Sequence, residues 1–245
     1  MDLLQSPHAP HGVELLPHSL LARWQQRTTD PGATVVLPDG CCDLILHVNG
    51  AGQPDWHVSP LADAAVTVPG AADEFWRGYR LRPGTVVQAP ALIRAAQAIW
   101  SRAVRRDWGS CAPERIDHTV EQQLLDAIDT HTHLQARVQE ALHTLAHTAT
   151  VAAAARSLGV SERSLERLTR ATTQQPPSYW RALARVRRAA QALGSGEALA
   201  GIAADHGYAD QAHFSRDCLR WLGQSPASLR RSPDLLATVA QAGYG

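Results

Sequence analysis

Two groups of polar side chains recur at helical spacing in the last hundred residues, and their types suit hydrogen bonding to nucleic-acid bases. The first group is Arg163, Glu166 and Arg167, and the second includes Gln211, His213 and Arg216. Arginine pairs bidentately with guanine, glutamine pairs with adenine, and glutamate accepts from the cytosine amine. Residues three and four apart share one helix face. The two groups therefore suit contact with nucleic acid.

Further side chains nearby are suited to phosphate oxygens, which position a protein on a duplex without reading its sequence. They are Ser161, Arg170, Arg181, Arg185 and Arg220. For any single arginine the alternative is an ion pair on the protein surface.

The element that would carry the first group is a short helix, a turn and a second helix. Val151, Ala154 and Leu158 lie on one apolar face. Gly159 follows where a helix end favours a left-handed residue, and Ser161 is placed to cap the next helix. This is the arrangement that enters a major groove.

The second group follows the same plan. Residues 198–206 predict a helix, Gly207 a turn, and Asp210 a cap for the helix that carries Gln211 to Arg220. A helix over residues 178–193 begins after two prolines and joins the two units. Its basic stripe includes Arg181, Arg185 and Arg188, for which a solvated surface is the simplest interpretation.

Charge divides the chain into an acidic front part and a basic rear part. The 245 residues carry 23 positive and 23 negative side chains, and every positive residue is arginine. Residues 1–145 hold 11 arginines and 16 acids, whereas residues 146–245 hold 12 arginines and 7 acids. A basic rear part suggests a polyanionic partner, and the alternative is a chance surface bias. With 44% hydrophobic residues, the chain is not disordered by composition.

The front part has the composition of short strands joined by turns. Residues 31–90 hold seven glycines and seven prolines. Apolar or β-branched runs lie between them at 34–37, 44–48, 65–68, 75–81 and 85–87, which predicts an antiparallel barrel or sandwich. Helices are predicted over 91–106 and 114–127, and the polar residues 129–134 predict a hinge.

Residues 138–231 resemble the tandem helix-turn-helix domain of the AraC/XylS regulators. The resemblance rests on LGVSERSLERL (158–168), a Pro177-x-x-Trp180 helix start, IAADHGYADQAHFSR (202–216) and LGQSPASLRR (222–231). It implies two recognition helices that enter successive major grooves of a promoter, the first reading bases with Arg163, Glu166 and Arg167. The second would read bases with Gln211, Ala212, His213 and Arg216, the alanine methyl touching a thymine methyl. Thr169, Gln174 and Cys218 depart from the usual aromatic, glycine and phenylalanine, which affects packing or a turn rather than base reading.

Residues 36–46 and 80–84 resemble the N-terminal domain of some of these regulators, which implies a β-rich, barrel-like sensory or association domain. We therefore expect an α+β chain with a regulatory domain at 1–112, a helical linker at 113–137 that dimerises or docks on the DNA-binding domain, a DNA-binding domain at 138–233, and a tail at 234–245. RNA polymerase is an expected partner if the protein is an activator, and a homodimer is left open.

The regulatory domain offers candidate ligand residues. An aromatic or anionic small molecule would suit Trp56, Trp76, Arg80 and Arg82, while Cys41 and Asp43 lie in the strand-like run before them. The vicinal thiols Cys41 and Cys42 could instead sense oxidants or soft metals. The alternative is a cysteine buried as a small hydrophobe.

The sequence has few of the residue patterns that metal sites and catalytic sites require. His47 and His57 stand alone, and His143 and His147 lie one turn apart, a pair that twelve histidines make common by chance. We find no nucleophile-elbow, dinucleotide or phosphate-loop motif. A cysteine-dependent alkyl transferase would need a Cys-rich zinc motif, and Cys111 is distant from Cys41. We expect no cofactor, no bound metal, no membrane-spanning segment and a cytoplasmic location with reduced thiols.

Overall fold

The structure is a computed structural model that describes residues 2–3, 16–106 and 116–245. The chain forms two compact units. The N-terminal unit comprises Met1–Thr34, Cys42–Pro60 and Pro69–Leu134, and the C-terminal unit comprises Val35–Cys41, Leu61–Val68 and Gln135–Gly245. Two short segments from the front of the sequence thus belong to the C-terminal unit.

The front part of the chain contains the strands. They are β1 (Asp2–Leu3), β2 (Leu20–Thr28), β3 (Gly32–Val36), β4 (Asp43–Val48), β5 (Pro54–Val58), β6 (Val66–Gly70), β7 (Glu74–Leu81) and β8 (Val86–Val87). An antiparallel sheet has the order β1-β2-β7-β4-β5, and β3 pairs with β6. The predicted β-rich character is confirmed.

Alternation along the strands gives this sheet one apolar face. Leu44, Leu46, Phe75 and Tyr79 are buried there with Trp56. The helices α1 (Ala89–Arg106) and α2 (His118–His131) cover this face through Leu92, Ile99, Leu124 and Ile128, among others. The core of the N-terminal unit therefore lies between one sheet face and two helices.

The C-terminal unit is helical apart from its two front segments. Its helices are α3 (Ala136–His147), α4 (Val151–Ser157), α5 (Glu162–Thr173), α6 (Pro177–Gln191), α7 (Leu199–Asp205), α8 (Gln211–Leu222), α9 (Pro226–Arg230) and α10 (Pro233–Val239), with a 3₁₀ turn at Ala192–Ser195. Helix α6 is central and packs against α3, α4, α5, α8 and α10. Its residues Trp180, Leu183, Ala184 and Val186 are fully buried.

The front segments complete the same core. Leu37 is buried in the apolar cluster of the C-terminal helices, and Val35, Leu61 and Ala65 pack against that cluster. A boundary placed between the front and rear of the sequence would cut through this core. Composition could not indicate this, because both segments are short and turn-like.

The residues predicted to form a hinge, 129–134, have regular structure as far as His133. Helix α2 continues to His131, and β9 (Thr132–His133) pairs with β8. Thr132 Oγ1 donates to Ile128 O at 2.7 Å and lies 2.7 Å from Ser19 Oγ. The segment belongs to the N-terminal unit, which ends just after it at Leu134, and the hinge stays a prediction.

Other differences concern element ends. The helix predicted from residue 114 begins at His118, because Asp117 Oδ1 accepts from Thr119 N and caps it. Residue 114 and Cys111 lie outside the described residues. Strands β2 and β5 were not predicted, since β2 is rich in arginine and glutamine and β5 begins at a proline.

Across the described ranges, no helix has both the length and the apolar character that crossing a membrane requires.

Candidate nucleic-acid interface

The first helix-turn-helix has the local geometry that its sequence predicts. Thr150 Oγ1 accepts from Ala153 N at 3.0 Å at the start of α4. Gly159 adopts a φ of 66°, the left-handed turn that glycine permits at little cost. Ser161 Oγ accepts from Ser164 N at 3.1 Å and begins α5. Both helices of the unit are thus capped by side chains.

Helix α5 buries one side and exposes the predicted reading side. Leu165 and Thr169 point into the core, whereas Arg163, Glu166, Arg167 and Arg170 are exposed. Arg170 Nε donates to Glu166 Oε1 at 2.9 Å. Among the described residues, no such partner is recorded for Arg163 or Arg167, so their guanidinium groups face solvent.

The second helix-turn-helix repeats this geometry. Gly207 has a φ of 72°. Asp210 Oδ1 accepts from His213 N at 2.6 Å and caps α8. Phe214, Cys218 and Trp221 are buried, which fixes the rotation of α8 about its axis.

The rotation of α8 leaves a row of side chains accessible. Gln211, Ala212, Arg216 and Arg220 are exposed. His213 is half-buried because its ring lies edge-on to Tyr208, with centroids 5.1 Å apart. The guanidinium of Arg220 lies 5.4 Å from the Trp221 ring. The predicted second reading group therefore lies in the first two turns of one helix.

Two arginines of α6 that were predicted to contact phosphate have partners inside the protein. Arg181 Nη1 donates to Ala149 O, next to the cap of α4, at 2.9 Å. Arg185 Nη2 donates to Asp217 Oδ2 at 2.7 Å, and its guanidinium stacks 4.1 Å from the Tyr208 ring. Burial lowers the pKa of Arg181, and the neighbouring Arg185 charge adds to that shift. These bonds tie α6 to both helix-turn-helix units.

A third arginine of α6, Arg187, was not predicted to act at all. It is 2% exposed. Its Nη1 donates to Pro38 O at 3.3 Å, and its Nη2 donates to Val239 O at 3.0 Å and Gln241 O at 2.9 Å. The available signal was its spacing, because Arg187 lies four residues after Leu183 on the apolar face of α6.

The core of the C-terminal unit contains buried ionisable groups. Burial, with a smaller effect of Asp217, raises the pKa of Cys218 to about 12. Burial also raises the pKa of Tyr208 and of Tyr244. These groups stay neutral near neutral pH, so they support the helices as packing residues.

The ligand residues predicted from sequence are separated by the fold. Asp43 pairs in register with Arg80, and His47 pairs with Trp76, which places Asp43, Arg80 and Trp76 on the sheet face opposite the helices. Trp56 pairs with Leu46 and lies in the core on the other face.

The remaining predicted ligand residues lie elsewhere. Arg82 follows β7 and its Nε donates to His18 O at 2.9 Å. Cys41 is buried and belongs to the C-terminal unit, while Cys42 is half-buried and belongs to the N-terminal unit. The six residues therefore do not form one site within either unit.

Residues that sequence reasoning missed complete two buried polar clusters in the N-terminal unit. In one, Trp24 Nε1 donates to Asp43 Oδ2 at 2.8 Å, beside the ion pair of Arg80 with Asp43. In the other, Glu121 accepts from Tyr79 Oη at 2.8 Å and pairs with Arg23 and Arg77. Strand register could have indicated the first cluster, since Trp24 pairs with Gly78, two residues from Arg80.

Metal-ligating side chains do not converge in the part of the chain that the structure describes, where no group of three or more His, Cys, Asp or Glu residues could hold an ion. His143 and His147 lie with ring centroids 4.4 Å apart, and His147 Nδ1 lies 2.8 Å from His143 O.

This geometry defines a protein with paired helix-turn-helix units. A family model described as a helix-turn-helix domain matches residues 154–232, which contain both turns. The C-terminal unit therefore carries a helix-turn-helix domain.

Solved structures similar to the chain include the following two. One is a transcriptional regulator from Chromobacterium violaceum with an AraC-type DNA-binding domain, at 26% identity over 44% of this chain and 91% of that chain, with a TM-score of 0.35. The other is ToxT from Vibrio cholerae O395, at 8% identity over 90% of this chain and 97% of that chain, with a TM-score of 0.43. A comparison with curated proteins finds no match.

Proposed function

We propose that the protein is a sequence-specific regulator of transcription that reads promoter DNA with α5 and α8. The observation that carries the proposal is the repeated geometry: a left-handed glycine, a capped helix and an exposed polar face occur twice. Helices of this design place their first turns in the major groove.

The base-contacting residues in this proposal lie near the starts of the two helices, and all but the half-buried His213 are exposed. They are Arg163, Glu166 and Arg167 on α5, and Gln211, Ala212, His213 and Arg216 on α8. Ser161, Arg170 and Arg220 are proposed to contact phosphate. Arg181 and Arg185 are assigned instead to hold the helices, because their guanidinium groups already have partners inside the protein.

The experiment is a selection of bound sequences from random DNA, with the full-length protein and with Arg167→Ala and Arg216→Ala. We expect a motif of two short blocks about one helical turn, ~34 Å, apart. Each variant should lose one block, with binding weakened about 5- to 150-fold for the loss of one bidentate base contact.

Arg137→Ala is the matched control, since Arg137 is exposed on α3, outside both reading helices. It should retain both blocks. A wild-type protein that selects no motif, or a motif that neither reading variant alters, would contradict the proposal.

The remaining parts of the proposal concern regulation. We infer that the N-terminal unit receives a small molecule or a protein partner and that the regulator works in the cytoplasm, with RNA polymerase as a partner if it activates transcription. The sheet face with Asp43, Trp76 and Arg80 supports a ligand role, since it combines an aromatic ring with charged groups. Sedimentation of the full chain with and without operator DNA measures whether a homodimer forms. No catalytic role is assigned.

A further inference from the structure

The C-terminal unit contains two segments whose chain continues directly into the N-terminal sheet, and both segments are bound to α6. Residues 35–41 lead into β4, and residues 61–68 follow β5. Tyr179 Oη, near the start of α6, donates to Ala62 O at 2.7 Å. Arg187, two turns further along α6, donates to Pro38 O at 3.3 Å.

The first segment is tightly packed where it meets α6. Gly40 is buried with a φ of 74°, and a Cβ added there would lie 2.8 Å from Tyr244 Cβ and 3.0 Å from Trp180 Cζ3. Asp39 O accepts from Tyr244 N at 2.8 Å, and Asp39 Oδ1 accepts from Cys41 N at 2.9 Å. Residues 38–41 therefore have little freedom to absorb a displacement.

At the ends that enter the N-terminal sheet, both segments are continuous in the chain with one buried polar cluster. Asp43 N donates to Ser59 Oγ at 2.8 Å, and Ser59 N donates to Asp43 O at 2.9 Å. The Asp43 carboxylate also binds Trp24 and Arg80. Asp43 is four residues from Asp39, and Ser59 is three residues from Ala62.

We propose that residues 39–43 and 59–62 are coupling segments that transmit a change at the Asp43 cluster to helix α6 and so alter DNA affinity. Helix α6 is the element that Arg181 ties to the first helix-turn-helix and Arg185 ties to the second. A shift of α6 changes the relative placement of α5 and α8, on which simultaneous contact with two grooves depends. The inference rests on the proposed DNA-binding function.

The test combines a change at the cluster with a change in the segments. Asp43→Asn weakens the cluster, and Gly-Gly insertions after Cys41 and after Pro60 slacken both segments. Affinity is measured in the full-length chain by fluorescence anisotropy on a fragment carrying the selected motif. Glu121→Gln is the matched control, because it weakens the other buried polar cluster of the same unit, which lies outside the coupling segments.

We expect Asp43→Asn to change DNA affinity by about fivefold or more, the scale of coupling between two sites. In the chain that carries both Gly-Gly insertions, Asp43→Asn should change DNA affinity less than about twofold. Glu121→Gln should change DNA affinity less than about twofold both in the wild-type chain and in the chain with the insertions. Where Asp43→Asn lowers the melting temperature by circular dichroism, Trp24→Phe replaces it, since that variant removes a single donor to Asp43 and keeps the aromatic ring.

Equal effects of Asp43→Asn, or of its replacement Trp24→Phe, in the two backgrounds overturn the coupling while leaving the DNA-binding proposal intact. An effect of Glu121→Gln as large as that of Asp43→Asn also overturns it. Failure of the wild-type chain to bind any selected DNA overturns the proposed function, and the coupling with it.

Discussion

Individual arginines of this chain perform two different tasks that their charge alone does not distinguish. Arg163, Arg167 and Arg216 are exposed on reading helices, whereas Arg185 and Arg187 are held by acceptors within the protein. Sequence spacing placed the exposed arginines on helix faces. It could not show that Arg185 meets Asp217, because that pair joins two helices 32 residues apart.

Arg187→Met should lower the free energy of unfolding by about 2–4 kcal/mol. The variant leaves the buried oxygen of Pro38 and the partly buried oxygen of Gln241 without this donor, and an unsatisfied buried acceptor costs more than the bond itself contributes. Urea unfolding measures the change. The control Arg163→Met lies on an exposed face and should stay within ~0.5 kcal/mol of wild type. An equally small effect at Arg187 would contradict the role assigned to it.

Alkaline pH should destabilise the C-terminal unit through Cys218. The pKa of the thiol is about 12 in the folded protein, against ~8.5 in an unfolded chain. As pH rises above the lower value, the unfolded state loses a proton that the folded state keeps, so stability falls between the two pKa values. Urea unfolding at a series of pH values from about 8 to 10 measures the slope of the free energy of unfolding against pH. Cys218→Ala should make that slope shallower, and an unchanged slope would count against the assignment.

At the scale of elements, the helix-turn-helix units were predictable because their geometry is local. Glycine, serine and aspartate at fixed offsets specify turns and caps without help from distant residues. Strand β2 was missed because its burial depends on long-range partners. Its Arg23 is held by Glu121 on α2, 98 residues away, and a polar strand of this kind gives no alternation to detect.

Gln174→Gly should stabilise the C-terminal unit by about 0.5–1 kcal/mol. Gln174 ends α5 with a φ of 60°, a left-handed conformation in which a side chain is strained and glycine is not. Thermal unfolding measures the gain. The neighbouring Gln175→Gly is the matched control, since the positive-φ non-glycine residues in the described ranges do not include Gln175. Gln175→Gly should leave the melting temperature unchanged or lower it. A rise in melting temperature for both variants would contradict the claim that the left-handed conformation of Gln174 is strained.

At the scale of the whole molecule, charge and amino-acid composition indicated a front part and a rear part. They did not indicate which segments of the chain make up the C-terminal unit. Its core includes Leu37, which lies about 100 residues before α3 begins at Ala136. Nothing local distinguishes residues 35–41 from the turn-rich chain around them. The candidate reading faces could be predicted from the sequence. The hydrogen bonds that hold α6 could not, because they join residues far apart in the chain.

A fragment that begins at Gln135 should therefore be less stable than the same unit in the full chain. It lacks Leu37, the Ala62 acceptor for Tyr179 and the Asp39 acceptor for Tyr244. The loss of several kcal/mol in a domain of this size lowers the melting temperature by about 10 °C or more. Circular dichroism measures the melting temperatures of the fragment and of the full chain. Leu37→Ala in the full chain should shift the same transition in the same direction, and a fragment that melts with the full chain would refute this account of the core.

The partners of Arg187 have a consequence for comparative sequence studies. Main-chain oxygens of Pro38, Val239 and Gln241 are among its acceptors, and any residue at those positions would supply them. A substitution at one of these three positions leaves its bond intact and creates no pressure for a compensating change. Among homologues we expect position 187 not to co-vary with these three positions, so contact prediction from correlated substitutions would overlook these bonds.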